Sequence, residues 1–319
     1  MLSSLTDVAL DNIDNVTTLI LFCQLLKRIF MNEIKELLPE NAEFTKRLCD
    51  IDDPPKRLWY VGTLPERKPT VAVVGSRKPT SYGRAVSAKI VGELAAAGVI
   101  IVSGMAIGHD GLAHRACLAN HGTTVAVIGN GLDNPHPHSN QKLFHQIIDS
   151  GGAVISEYPA GTNVHGWQFL ARNRLISGLA DVVVVIEASV HSGTLNTAAH
   201  ALSQGRTVMA VPGNITSPLS VGCNKLIAQG AQPVLSAKDV LEAIGFDEAA
   251  HTRKSVDHKI RFNSPDAQKI YDLILAGESD GDALQKKSGL DSSAASIALT
   301  MLELNGYIKS LGGDKFMAN

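Results

Sequence analysis

The sequence predicts an α/β protein with a doubly wound parallel sheet, a small N-terminal helical segment and a C-terminal winged-helix domain. Three observations predict it. Six short apolar runs, at 71–74, 99–102, 124–128, 153–155, 182–186 and 207–211, alternate with stretches of helical periodicity. Each run is continuous, as expected of strands covered by helices on both faces. Polar residues gather just after every run, which places them together at the carboxyl edge of a parallel sheet, where ligands bind. Near the C-terminus, three helical patterns precede a Gly-Gly hairpin, the layout of a winged helix-turn-helix.

In chain order, apolar residues recur at helical spacing from Asn15 to Leu38, with Lys27, Arg28, Lys35 and Glu36 between them, and Pro39 closes the run. This is the predicted N-terminal helical segment, 1–49. Its most apolar part, Leu19 to Leu26, is too short to span a bilayer and lacks the basic start and cleavage site of a signal peptide. The stretch 50–62 is punctuated by Pro54 and Pro55, then turns β-like at Leu58-Trp59-Tyr60-Val61, as in a linker that docks on the domain after it. It opens the central domain, 50–245, which the polar loop 65–69 connects to the first run. A charged and small-residue linker, 246–260, leads to the last domain, 261–319. There helices are expected over 265–275, 280–288 and 292–304, with a hairpin over 307–316.

The chain has 319 residues, 45% hydrophobic and 19% charged, with 28 glycines, a composition of compact α/β proteins. Its net charge is −2, distributed as −2 over 1–69, +2 over 70–245, −1 over 246–258 and −1 over 259–319, so any polyanion must be met by local clusters. Cys23, Cys49, Cys117 and Cys223 form no Cys-x-x-Cys pair. Neither a disulfide framework nor a zinc knuckle is indicated, and a reducing, cytoplasmic setting is expected.

The polar strand ends carry the chemistry. After the first run, Gly75-Ser76-Arg77 leads through Pro79-Thr80-Ser81 into a helix, which puts free amides and a guanidinium at one point and suits a phosphate. The usual dinucleotide signature is absent, as are the P-loop and the Gly-x-Ser-x-Gly elbow, so the common enzymes of this Rossmann-like architecture are disfavoured. The remaining polar residues form a set of phosphate holders: Ser76, Arg77, Ser103, Arg172, Asn173, Arg174, Ser192, Gly193 and Thr194. Ser192-Gly193-Thr194 opens a helix and offers a second anion seat. Arg172 and Arg174 hold phosphate or make structural ion pairs, and only one of them is expected to point into the sheet edge. Glu157 and Glu187 are an acid/base pair at neighbouring strand ends, or carboxylates that cap a helix or orient an arginine. His109 with His114, and His136 with His138, lack a third ligand at proper spacing, so no metal is expected.

These motifs together resemble a known family, the DNA-processing protein A family, also called Smf, from about Leu48 to the C-terminal wing. The resemblance rests on Asp53-Pro54-Pro55, Val73-Val74-Gly75-Ser76-Arg77, Ser103-Gly104-Met105-Ala106-Ile107-Gly108, Gly131-Leu132-Asp133, Ser156-Glu157-Tyr158-Pro159, Phe169 to Arg174, Ser192-Gly193-Thr194, Val211-Pro212-Gly213 and Ser220 to Ile227 followed by Gly230-Ala231. It implies a non-enzymatic protein that binds single-stranded DNA through an extended Rossmann domain, protects it and loads the RecA recombinase during natural transformation, as a homodimer and without a cofactor. By matching motif, Arg77 is the DNA-contacting arginine, Gly75 and Ser76 its turn, and Gly104, Gly131, His138 and Asn140 join the site. Tyr158, Trp167 and Phe169 are base-stacking candidates or core residues.

Two departures stand out. His136-Pro137-His138-Ser139-Asn140 replaces the family's Tyr-Pro and basic residue, and His109 stands where isoleucine is usual. The C-terminal domain resembles the family's through Asp282-Ala283-Leu284, Ser288-Gly289-Leu290 and Leu302 to Gly306. Its third helix has no Arg or Lys between Asp291 and Leu304, so a protein contact is expected of it rather than duplex DNA. Two competing readings are a nucleotide-processing enzyme of the phosphoribohydrolase kind, against which Pro212-Gly213-Asn214-Ile215-Thr216 speaks, and a transcription factor. A dimer face around Leu226 to Leu235 is equally explained by burial within the chain.

Overall fold

The structure is a computed structural model, and it describes residues 33–246, 262 and 264–318. The helical reading of 15–32 and most of the expected linker lie outside the described residues. The chain divides into two compact units, 1–248 and 249–319.

The first unit is a nine-stranded sheet. In chain order its strands are β1 (Lys35–Leu37), β2 (Leu58–Gly62), β3 (Thr70–Val74), β4 (Ile100–Ser103), β5 (Thr124–Ile128), β6 (Ala153–Ser156), β7 (Val182–Val185), β8 (Thr207–Ala210) and β9 (Gln232–Pro233). They lie in the order β1-β2-β6-β5-β4-β3-β7-β8-β9. All six apolar runs are strands, mutually parallel, and the additional strand β9 is parallel to β8. The segment predicted to dock does so as β2, antiparallel to β6 with Trp59 opposite Ser156.

One expectation is corrected. The N-terminal helix does not run to Leu38, because Lys35–Leu37 is an edge strand antiparallel to β2, with Lys35 opposite Tyr60 and Leu37 opposite Leu58. The reason is tertiary: Leu37 packs on the core, Lys35 lies over the Tyr60 ring at 5.8 Å, and Glu36 accepts from Arg57. Phe44, Leu48 and Ile51 then join the same core as the central strands.

Helices cover both faces. They are α1 (Ser81–Ala96), α2 (His109–Ala119), α3 (Gln141–Asp149), α4 (Gly166–Leu179), α5 (Thr194–Ser203), α6 (Val221–Ala228) and α7 (Ala237–Ala243). Successive residues of β3 alternate between two cores: Ala72 and Val74 pack with α4 and α5, and Val71 and Val73 with α1 and α2. The chain leaves β3 toward β4, β5 and β6, then crosses back to β7 on the other side. The carboxyl ends of β3 and β7 therefore flank the topological switch point.

The second unit has helices α8 (Pro265–Leu275), α9 (Gly281–Ser288) and α10 (Ser292–Leu304) and a hairpin, β10 (Ile308–Gly312) with β11 (Lys315–Ala318). Local chemistry sets each boundary. Ser264, Asp280 and Asp291 cap the helices by accepting from the amides of Ala267, Ala283 and Ala294, and Gly289 ends α9 in the left-handed region at φ 71°. Ile270, Leu284, Ala298 and Leu302 are among its core residues. On the outer side of α10, Ile297, Met301 and Leu304 recur at i, i+4 and i+7 and are all exposed. Among the described residues, no helix is long and apolar enough to cross a membrane.

Candidate nucleic-acid interface

The turn after β3 is held from beneath. The Ser76 amide donates to the Glu187 carbonyl at 2.8 Å, and the Ser76 carbonyl accepts from the His109 amide at 3.2 Å. Gly75 is required by a close approach, since a Cβ there would sit 2.6 Å from the His109 ring. The buried Glu187 carboxylate accepts from the Thr80 amide at 3.0 Å, the Thr80 hydroxyl at 2.5 Å and His109 Nε2 at 3.0 Å. Thr80 in turn caps α1 by accepting from the Gly83 amide. On the other side of the ring, His109 Nδ1 lies 2.8 Å from Ser87 Oγ.

Burial pushes the His109 pKa down, and this outweighs the pull of Glu187 in the opposite direction. Burial works to raise Glu187, but the hydrogen bonds from Thr80 and His109 prevail and hold it below the ordinary carboxylate value. The pair is thus a neutral imidazole donating to an ionised carboxylate. Ser87, His109 and Glu187 have the residue types of a hydrolytic triad, yet the serine is 0% exposed. They are a fixed brace between α1, α2 and the end of β7.

Above this brace lies a cavity of about 350 Å³ at the switch point. It brings together Gly75, Arg77, Arg172, Asn173, Ser192, Gly193 and Thr194 from the predicted set. Arg77 is exposed, stands 5.9 Å from the Phe169 ring centroid, and makes no hydrogen bond or ion pair among the described residues. Arg172 forms the floor at 4% exposure. Its Nη1 donates to the carbonyls of Gly104, at 2.7 Å, and Val127, and its Nε donates to Asn173 at 3.3 Å, while among the described residues Nη2 makes no hydrogen bond. A Cβ at Gly104 would fall 2.5 Å from the guanidinium, so only glycine fits there. Burial lowers the Arg172 pKa to about 10, with Asp110 opposing and Arg77 reinforcing the shift. Two neighbouring guanidiniums with unused donors are a seat for an anion. Ser192 accepts from the Thr194 amide at 3.2 Å, which shapes the start of α5 on the cavity wall.

Gly104 lines an adjoining smaller hollow with His136, Pro137 and Phe169, and the His136 and Phe169 rings are 5.8 Å apart. His138 is exposed on the flank, its ring 5.7 Å from that of His136. The other predicted residues do not reach the cavity. Ser76 is buried in its turn and accepts from the Lys78 amide. Ser103 is buried and donates to the Val73 carbonyl at 2.6 Å, tying β4 to β3 where the strands part. Gly131 is buried, and a Cβ there would meet the Asp133 carboxylate at 2.5 Å and the Pro159 carbonyl at 2.9 Å. Asn140 donates to the Met105 carbonyl and accepts from Arg115, bracing the loop before α2. Arg174 points away, paired with Glu157 at 2.6 Å and Asp53 at 3.0 Å.

Glu157 and Glu187 do not end neighbouring strands, because β5, β4 and β3 separate β6 from β7. Each has the orienting role, one toward Arg174 and the other toward Thr80 and His109. His109 and His114 are buried with separate partners. Sequence reading missed Thr197 on the cavity wall and Ser87 in the brace; a buried Ser or Thr inside an Ala-rich helix carries no signal of its own.

Comparison with known proteins gives the family and the fold. The family model described as DNA recombination-mediator protein A matches residues 35–245, and the DprA winged helix domain matches 259–314. Protein Smf of Escherichia coli is 37% identical over 286 residues, covering 87% of this chain and 76% of that protein. Among solved structures, DNA processing protein A of Streptococcus pneumoniae superposes with a TM-score of 0.60 at 38% identity, over 67% of this chain and 75% of that one. DNA processing protein A of Helicobacter pylori, described for its unique single-stranded DNA binding mode, superposes with a TM-score of 0.58 at 30% identity, over 66% and 95%. With its sheet, its turn at Gly75-Ser76-Arg77 and its winged helix, the chain belongs to the DNA recombination-mediator protein A family.

Proposed function

We propose that this chain binds single-stranded DNA with little sequence preference, shields it and delivers it to the RecA recombinase, acting as a homodimer without cofactor or catalytic step. The observation that carries the reading is Arg77, an exposed guanidinium with no hydrogen bond or ion pair among the described residues, at the mouth of a cavity floored by buried Arg172. Donors in a concave seat meet phosphates, and Phe169 beside them offers a base its face. The binding mode described for the Helicobacter pylori relative supports the same ligand class. The winged helix serves protein contact in this reading, since α10 presents Ile297, Met301 and Leu304 and no cation. For the dimer, Leu226 and Ile227 pack on the chain's own core, which leaves Leu235 as the exposed apolar residue of the expected face.

The test is fluorescence anisotropy with labelled oligonucleotides. Arg77→Ala weakens single-strand binding at least about tenfold, the worth of a charged hydrogen bond, and leaves the unfolding midpoint unchanged because the side chain packs on little. Unaltered affinity in a folded variant overturns the assigned site. Release of free base from nucleoside monophosphates would instead favour the phosphoribohydrolase reading.

A further inference from the structure

Helix α4 separates two openings. Phe169, Asn173 and Ile176 line the cavity described above, whereas Trp167, Ala171 and Arg174, at i, i+4 and i+7, form the opposite stripe. That second stripe is one wall of a cleft of about 520 Å³, completed by Trp59 and its neighbours Lys56 and Arg57 and by Tyr158. The chain contains 2 tryptophans, and both stand in this cleft. Trp167 is 61% exposed, and its ring meets that of Tyr158 edge-on at 6.2 Å. An aromatic face this open on a well-packed helix is a mark of a contact surface.

The charge of the cleft selects the partner. Three cations, Lys56, Arg57 and Arg174, line it against two acids, Asp53 and Glu157; both acids pair with Arg174, and Arg57 is engaged by Glu36. Lys56 is exposed and makes no hydrogen bond or ion pair among the described residues. Aromatic faces beside an unspent cation complement unpaired bases on a phosphate backbone. A helix with its side chains is about 10–12 Å across, so a strand leaving the Arg77 cavity crosses α4 within a few nucleotides.

We propose that this cleft is a second base-stacking station for single-stranded nucleic acid, occupied by the same strand after it passes the Arg77 cavity. The inference rests on the reading of that cavity as a single-strand seat.

The experiment titrates the full chain with thymidine oligonucleotides of about 4 and about 16 nucleotides, the range of single-strand site sizes, following label anisotropy and tryptophan emission together. The longer oligonucleotide quenches the emission and the shorter one, bound at the cavity, does not. Trp167→Ala binds the longer strand about tenfold more weakly, binds the shorter one as the parent does, and Trp167→Phe restores most of the loss. Unchanged emission at saturation, or a Trp167→Ala variant that binds the longer strand normally, overturns the station. Emission that instead depends on protein concentration without DNA assigns the cleft to a second copy and also overturns it. The two readings fail separately: normal binding by Arg77→Ala removes the cavity assignment, while quenching by the longer strand is read from the tryptophans alone.

Discussion

His114 shows what one buried side chain imposes on the whole molecule. It is wholly buried, its Nδ1 lies 2.7 Å from Thr124 Oγ1, and that hydroxyl donates to the Ile101 carbonyl. The imidazole must therefore donate through Nδ1, which leaves Nε2 without a hydrogen-bond partner. Protonation would place a charge in a wholly buried site, a cost that the Ser103 backbone only partly offsets. Burial accordingly drives the pKa down to about 3, helped by Arg115 and Arg172. Unfolded, the group titrates near about 6.5. Between the two values the unfolded chain holds a proton the folded one lacks, so stability falls as pH falls through that window and is unaffected by this group above it. The slope contributed by this residue grows as pH falls below the unfolded value and approaches about 1.4 kcal/mol per pH unit near about pH 5, measured by urea unfolding over a pH series from about 7 to 5. A His114→Gln variant should show a shallower slope, and an equal slope would refute the assignment.

At the scale of elements, the brace beneath the turn after β3 joins β7, α1 and α2 through one carboxylate. Removing it leaves the cap of α1 and the His109 ring with unmet donors in a dry interior. Glu187→Ala is expected to lower stability by about 3 kcal/mol, with an unchanged denaturant slope, and Glu187→Gln by less because one acceptor survives. The elements differ in how legible they were. The six inner strands are readable because a strand covered on both faces must be apolar throughout. The edge strand Lys35–Leu37 is not, since its three residues owe their conformation to a partner at Leu58–Gly62. The two arginines of α4 show the same limit at the site. Positions two apart on a helix face nearly opposite ways, so it is readable that only one enters the cavity. Which one depends on the carbonyls of Gly104 and Val127, brought near by other strands. Ser103 reads as a phosphate donor because a serine at a strand end also serves to satisfy the backbone where strands part, and Asn140, expected at the site through the family motif, instead holds the Met105 carbonyl.

For the whole molecule, charge distinguishes the two units as seats for the proposed strand. The segment 259–319 carries net −1, and α10 has no basic residue, whereas the sheet edge gathers Arg77 and Arg172. Substituting both Lys309 and Lys315 of the wing by alanine should leave single-strand affinity and its salt dependence unaltered. Arg77→Ala should lower the slope of log affinity against log salt by about 0.7, one phosphate contact on a single strand. Anisotropy over a salt series measures both, and a wing variant with a reduced slope would move the DNA contact to the second unit.

Among the described residues the sheet ends bluntly on both sides. Its outer strands are β1, three residues bearing Lys35 and Glu36, and β9, two residues of which Pro233 has no N–H to offer. Such rims resist the addition of another chain's strand. A chain proposed to act as a homodimer brings two sheets close together, where an open rim would invite further strand pairing. With rims this short and interrupted, the proposed pairing of two copies does not template a sheet that continues from one molecule to the next.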